Sequence, residues 1–304
     1  PGQFGPLIPT VPRYAPNVFR HYGKSYVVEP LRLAGGGATL TALATDQTDV
    51  STLSPLSLYL AHTQAKVDIR VIGEEITTEM PGYFQTRYWV HGNEIKKIDD
   101  LKGKIFAVNA LGSNVDVAIR IVMGRHGFKP DRDFREVEMP FQVMVPALQE
   151  HKIDAAPLVP PFNFLAEKVP DLKPSFSVGD AFDGPVETLM FMARADYVAK
   201  HRAALVDFLE DNMRMRAWMT NPKTRMEAIK QLSATTKLPI NLYAPWVYTH
   251  NDYYYNPHAL VDVALLQKNL NTMKEAGIIK TPFDVRPYVD MSLAKEAAAR
   301  LNEH

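Results

Sequence analysis

The chain carries an internal echo. Residues 42–61 read ALATDQTDVSTLSPLSLYLA and residues 147–166 read ALQEHKIDAAPLVPPFNFLA. At a constant offset of 105, the pairs Ala42/Ala147, Leu43/Leu148, Asp49/Asp154, Leu53/Leu158, Pro55/Pro160, Leu60/Leu165 and Ala61/Ala166 are identical. Seven identities in twenty exceed the one or two expected, roughly, from average composition. Each copy reads as a helix end, a polar turn, a short strand, a Pro-containing turn and a second helix. The period is far too long for a solenoid. It predicts two lobes of similar topology.

The surrounding pattern is α/β. Strands are predicted at 27–33, 49–53, 68–72, 84–90 and 105–108, with Gly35-Gly36-Gly37 closing the first. Helices are predicted at 38–45 and from Pro55 to Gln64, the latter with Pro at its first position. Val115, Ala118, Ile119, Val122 and Met123 make one apolar helix face that Gly127 ends. Alternating strands and helices predict mostly parallel sheets. The last third reads as helical, with starts at Asp196, at Asn256-Pro257 and at Asp290.

Composition removes several functions. Lys+Arg and Asp+Glu both total 34 in 304 residues, with no basic stripe, which argues against a nucleic-acid partner. There is no cysteine, so disulfides, thiolate metal sites and Cys nucleophiles are all absent. No run of about 18 apolar residues is present to span a membrane. The opening Pro1-Gly2-Gln3-Phe4-Gly5 shows no signal peptide and suggests a trimmed start. GGGAT at 35–39 is not a dinucleotide fingerprint, because Leu40 stands where a glycine would. Walker, H-E-x-x-H and G-x-S-x-G patterns are missing, and the nine histidines are scattered. No metal and no cofactor are expected. The aromatic run YAPWVYTHNDYYY at 243–255 reads as a packed loop rather than a ligand-stacking wall.

The turns carry the functional signal. Helix N-termini present unpaired N–H groups and about half a positive charge, and so hold anions without charged side chains. Gly112-Ser113-Asn114, between a strand and a helix, has the composition of such a site: Gly112 for close backbone approach, Ser113 and Asn114 as donors. Ser and Asn there also suit an ordinary helix cap. Ser54-Pro55 and Val159-Pro160 are the equivalent ends in the two echoed copies.

On these stretches, together with IKKIDDLKGKIFAVNALGSNVDVAIRIVMGRHGF (95–128) and LQKNLNTMKEAGIIKTPFDVRPYVDMSLAKEA (266–297), the chain resembles the periplasmic solute-binding proteins of ABC transporters. The matching branch serves sulfonates, taurine, nitrate and thiamine-pyrimidine precursors. The resemblance implies an α/β, two-lobed periplasmic-binding-protein fold of type II, with two hinge strands and a ligand cleft between the lobes. It implies a first lobe of residues 1–88 and 189–304 and a second of 89–188, with crossings near 84–91 and 187–192. It implies an exported, monomeric, non-catalytic receptor that hands a small organic anion, a sulfonate or carboxylate, to an ABC permease. Ligand contacts carried over are Ser54, Pro55, Gly112, Ser113, Asn114, Phe141, Pro160 and Phe162, with Phe4 and Gly5 at the first loop. Arg87 is the first candidate for a cationic anchor and Arg13 the second. Two alternatives stay open. One is an aromatic or pyrimidine-type ligand, suggested by Phe141, Phe162 and Trp89. The other is an enzyme of the menaquinone-pathway type on the same fold.

Overall fold

The structure is a computed structural model and describes residues 15, 17–31, 33 and 35–301. It contains two sheets. The first holds β1 (Val50–Leu53), β8 (Val186–Arg194) and β2 (Ile69–Thr78), in that order. The second has the order β5 (Arg135–Glu138), β4 (Ile105–Val108), β6 (Ala155–Leu158), β3 (Arg87–His91), β7 (Leu172–Ser177). Helices α1 (Gly35–Ala44) and α2 (Pro55–Leu60) flank the first sheet. The second carries α3 (Asn114–Arg125), α4 (Phe141–Gln149), α5 (Phe162–Ala166) and α6 (Val178–Phe182). The last third is helical: α7 (Ala195–Thr220), α8 (Arg225–Thr236), α9 (Ile240–Tyr243), α10 (Val263–Glu275) and α11 (Ser292–Leu301).

The echo has a structural counterpart. α1 ends at Ala44 and α4 at Gln149, and β1 (50–53) and β6 (155–158) coincide at the same spacing (149 − 44 = 105; 155 − 50 = 105). The following helices do not. α2 starts at Pro55, whereas α5 starts at Phe162, two residues later than the spacing requires.

The sheets are mixed rather than mostly parallel. β8 is antiparallel to both β1 and β2. β4 is parallel to β5 and β6, while β3 is antiparallel to β6 and β7. The antiparallel strands, β3 and β8, are those that arrive from the other sheet. The chain passes between sheets at residues 79–86 and again at 178–185. The expected crossings were later in sequence; β3 belongs wholly to the second sheet and β8 wholly to the first.

Three other expectations shift for local reasons. No strand forms among the described residues of 27–33, where Pro30 lacks the N–H a ladder needs. α10 begins at Val263, because the Asp262 side chain accepts the Leu265 N–H at 3.0 Å. Asn256 instead closes a turn by accepting from His258 N at 2.9 Å. β2 runs on to Thr78, past the expected end at residue 72, and this extension carries buried acids.

Apolar packing assigns helices to sheets. Ile72, Phe191 and Ala193 pack against Leu205, Leu209 and Met213 of α7 and Leu293 and Ala297 of α11. Trp89, Ala156 and Leu158 pack against Phe141, Met144 and Leu148 of α4 and Phe162 of α5. A further cluster runs across the junction of the sheets, from Leu43, Leu53 and Leu56 to Tyr88, Phe106 and Val117. The aromatic run at 243–255 is packed, as its composition predicts. Tyr243, Trp246 and Val247 are buried with Ile229 and Leu232, against Phe164 of the second sheet's helix α5. The same run reaches both ends of the first crossing, through Thr77 N to Tyr254 O (3.1 Å) and Phe84 N to Asp252 O (3.0 Å).

Candidate functional site

The N-termini of α1, α2 and α3 meet at the junction of the two sheets. A β-carbon on Gly35 would lie 3.2 Å from that of Ala110, and one on Gly36 would lie 3.0 Å from Ser57 Oγ. One on Gly112 would lie 3.9 Å from Leu56 Cδ2. The glycines therefore set how closely the three ends approach. Gly35 and Gly112 also adopt φ of +80° and +77°, the left-handed region that favours glycine.

The three ends differ in which N–H groups they leave free. In α1 the N–H groups of Gly36 and Gly37 have no partner among the described residues, and no acid stands in the first turn. In α2, Pro55 has no N–H, and Ser54 caps the end by accepting from Ser57 N at 3.3 Å. Leu58 N donates to Ser54 O at 3.2 Å, which leaves the Leu56 N–H. The α3 end is largely satisfied from within. Leu111 N donates to Glu138 Oε1 (2.6 Å) and Gly112 N to Asp116 Oδ2 (2.7 Å). Ser113 N donates to Ala110 O (3.2 Å), and Ser113 Oγ accepts from Asp116 N (3.4 Å). Asp116 thus offsets the helix dipole at this end, so among the described residues the ends without an acid are those of α1 and α2.

Asn114, the first residue of α3, is buried and faces the crossing strands. Its Nδ2 donates to Thr188 O at 3.4 Å, and Thr188 Oγ1 lies 2.7 Å from Thr78 Oγ1. Its Oδ1 is buried and unpartnered, as is that of Asn109 at the start of the same turn.

The remaining sequence candidates separate. Arg87 opens β3 opposite Leu158 and Ser177, at the sheet end where β6 terminates. Its side chain is exposed and makes no ion pair with another described residue. Phe141 and Phe162 are 9% and 8% exposed and pack with Trp89 in the core of the second sheet, away from solvent. Pro160 and Pro161 have no N–H, and Phe162 N donates to Val159 O at 2.8 Å. The second echoed turn therefore offers few backbone donors. Phe4, Gly5 and Arg13 lie outside the described residues.

Two features escaped the sequence reading. The first is Gly35-Gly36-Gly37, which opens a helix rather than closing a strand. Three glycines before a run of good helix formers were the available signal. The second is a set of acids buried along the crossing strands. Burial pushes the Glu75 carboxyl up to about 8, with neighbouring Arg216 opposing and Glu74 adding to it. Burial likewise pushes Glu187 up to about 8 and Glu79 up to about 7. Arg216 compensates by donating to Glu74 Oε2 and Glu74 O, both at 2.6 Å. Glu79 accepts from Thr86 N at 2.8 Å and so closes the first crossing on itself.

Among the described residues, His21, Asp207 and Glu210 form one group with metal-ligand chemistry. Arg300 pairs with Asp207 at 2.9 Å and Arg214 with Glu210 at 2.6 Å, so the group is an ion-pair network. No described helix is long and apolar enough to cross a membrane.

The fold matches solved binding proteins. It is similar to the periplasmic aliphatic sulphonate binding protein SsuA from Escherichia coli, with a TM-score of 0.65 and 19% identity over 94% of this chain and 89% of that one. It is similar to the periplasmic nitrate-binding protein NrtA from Synechocystis PCC 6803, with a TM-score of 0.70 and 17% identity over 98% and 86%. The desulfurization enzyme DSZB shares the fold as well, with a TM-score of 0.63 and 11% identity over 97% and 96%. These likenesses give the chain the two-lobed periplasmic-binding-protein fold. No curated protein matches it in sequence. The sequence pattern of the NMT1-like family matches residues 4–233, well over half of the chain, and the chain belongs to the NMT1-like family.

Proposed function

We propose that the protein is an extracytoplasmic solute receptor of an ABC importer, holding a small organic anion, a sulfonate or carboxylate, in a cleft between its two lobes. The observation that carries this reading is the meeting of the α1 and α2 N-termini, with unclaimed N–H groups and no acid in either first turn. Such an end binds anions through its dipole and donors together. Arg87 adds a cation at the facing sheet end, and the Gly112–Asn114 turn forms the opposite wall. The described residues before 79 and after 185 make one lobe and residues 87–177 the other, with the crossings at 79–86 and 178–185 as the hinge. The working state is a monomer that docks on a membrane permease. Its structural relatives SsuA and NrtA, named as binders of sulfonate and nitrate, support the same class of ligand. The aromatic-ligand alternative finds less support, because Phe141, Phe162 and Trp89 are buried in one core cluster of the second sheet.

The test begins with mass spectrometry of whatever solute co-purifies. Calorimetric titration with that solute and small-angle scattering then follow. The expected outcome is a smaller radius with ligand, since only contacts to both lobes favour closure. The melting temperature also rises with ligand concentration. A saturating solute that changes neither would overturn the reading.

A further inference from the structure

We propose that Glu79 is a latch across the hinge: rooted at the first lobe's end of one crossing, its side chain holds the second lobe's end of that crossing and lies against the start of the other, and so restrains the swing of the lobes. The proposal rests on the two-lobed receptor reading and adds a control to it. Glu79 directly follows β2, and Thr86 directly precedes β3. Glu79 Oε1 accepts from Thr86 N at 2.8 Å, across the whole of the first crossing. Thr86 O in turn accepts from Val178 N at 2.9 Å, where the second crossing begins. Glu79 Oε2 is buried without a hydrogen-bond partner. It faces Gly179, on which a β-carbon would lie 3.1 Å from it. One carboxyl thus reaches both passages between the lobes. The other buried acids of the crossing strands, Glu74, Glu75 and Glu187, sit on β2 and β8 inside the first sheet.

The latch is enclosed. Glu79 and Thr86 are each 3% exposed. The aromatic run covers the crossing from outside, with the Tyr253 ring edge-on to Phe84 at 5.5 Å and His250 Nδ1 at 3.1 Å from Gly82 O. Burial pushes the Glu79 carboxyl up to about 7, against the pull of the Thr86 and Gly179 N–H groups, and Asp180 of α6 adds to the rise. Tyr253 and Tyr88 of β3 face it as well; burial first, with the Glu79 charge among the lesser causes, pushes both phenols up. An arrangement of the lobes that lets water reach the carboxyl returns it toward its ordinary value of 4.5. That arrangement binds fewer protons, so a pH rising from about 4.5 to 7 favours release of the latch. The restraint on the hinge sets what closure costs, so solute affinity follows it.

The experiment measures the distance between the lobes by electron–electron double resonance. The chain has no cysteine, so spin labels go on Lys152→Cys in the second lobe and Lys200→Cys in the first, both exposed positions. No solute is added. The expected result is one dominant distance at pH 5 and a second distance at pH 8, its population at least about tenfold larger than at pH 5. Glu79→Gln, which cannot ionise, should keep the single distance at both pH values. Glu79→Ala should show both distances at both; if it does not fold, the wild type and Glu79→Gln decide. A distance that does not respond to pH in the wild type, or a response that survives Glu79→Gln, would overturn the proposal. Because no solute takes part, either result leaves the receptor reading standing. That reading fails on its own test, a saturating solute that changes neither the radius nor the melting temperature.

Discussion

The turn after β1 and the turn after β6 arise from the same sequence pattern and end in different chemistry. In the first copy, Ser54 caps α2, Pro55 occupies a position where a missing N–H costs nothing, and the helix end keeps two buried serines, Ser54 and Ser57, at the junction. In the second copy, two prolines follow β6 and the helix starts two residues late. There Phe162 turns into the core with Trp89 and Phe141, and Phe164 packs on the cluster of Tyr243 and Trp246. Topology was retained, but one turn kept a polar cap and one free backbone donor, the Leu56 N–H, and the other exchanged both for apolar anchorage. The lesson is that a repeated fold unit fixes where a turn sits, while its few side chains decide whether it binds or braces.

The largest expected effect breaks the brace. Phe162→Ala removes a side chain only 8% exposed, and such truncations cost about 3–5 kcal/mol. Denaturant unfolding should show the loss as a lower midpoint with unchanged slope. A cost below about 1 kcal/mol would return Phe162 to the ligand cleft, where the resemblance first put it.

A second test uses the acids buried along the crossing strands, of which Glu75 lies beside the first copy. Glu75 interacts with Thr52 of β1, and burial is the main cause of its raised pKa of about 8. Glu187, at about 8, and Glu79, at about 7, are raised for the same reason. A carboxyl whose folded pKa lies above its unfolded value keeps its proton longer in the folded state. The unfolded chain then binds fewer protons between about pH 4.5 and 8, so stability falls as pH rises through that window. The melting temperature should drop by several degrees from pH 5 to pH 8. Glu75→Gln should flatten that slope. A melting temperature that rises steadily from pH 5 to pH 8 would contradict the assignment.

The pattern of legibility follows from range. β4, at 105–108, and the start of α3 were readable because short-range periodicity and a cap determine them. The echo made the two-copy plan readable because its spacing survives as far as β1 and β6. What was hidden depends on partners far away in sequence. Glu74 looks like an exposed strand residue until Arg216, 142 residues later, is placed against it. Gly112 read as a ligand contact, and its N–H is taken by Asp116 at 2.7 Å, four residues on. Gly35-Gly36-Gly37 read as punctuation because glycine disfavours helix interiors. At a helix start, with Ser57 and Ala110 close by, that penalty is exchanged for access.

That access gives the third prediction. Gly36→Val sets a branched side chain where even a β-carbon would lie 3.0 Å from Ser57 Oγ. It should raise the Kd for the co-purified solute at least about tenfold, a loss of about 1.4 kcal/mol. Pro160→Val, at the braced turn, should leave the same titration within about twofold. If the two variants weaken binding equally, the two turns share the ligand and the contrast between them fails.

The smallest expected effect concerns Ser113. Its hydroxyl accepts from Asp116 N at 3.4 Å, a long bond for a helix cap. The neighbouring Gly112 N–H is already held by the Asp116 carboxylate, which also favours this helix end through its charge. Replacing a capping Ser by Ala costs about 0.5–2 kcal/mol, and the long bond and the second anchor place Ser113→Ala at the low end, about 0.5 kcal/mol. Ser54→Ala removes a cap that lacks any acid in its first turn, so its cost should be the larger of the two. Paired denaturant titrations resolve the order. If Ser113→Ala costs more than Ser54→Ala, then Asp116 is not the principal anchor of the α3 end, and that end regains the free positive pole assigned here to α1 and α2.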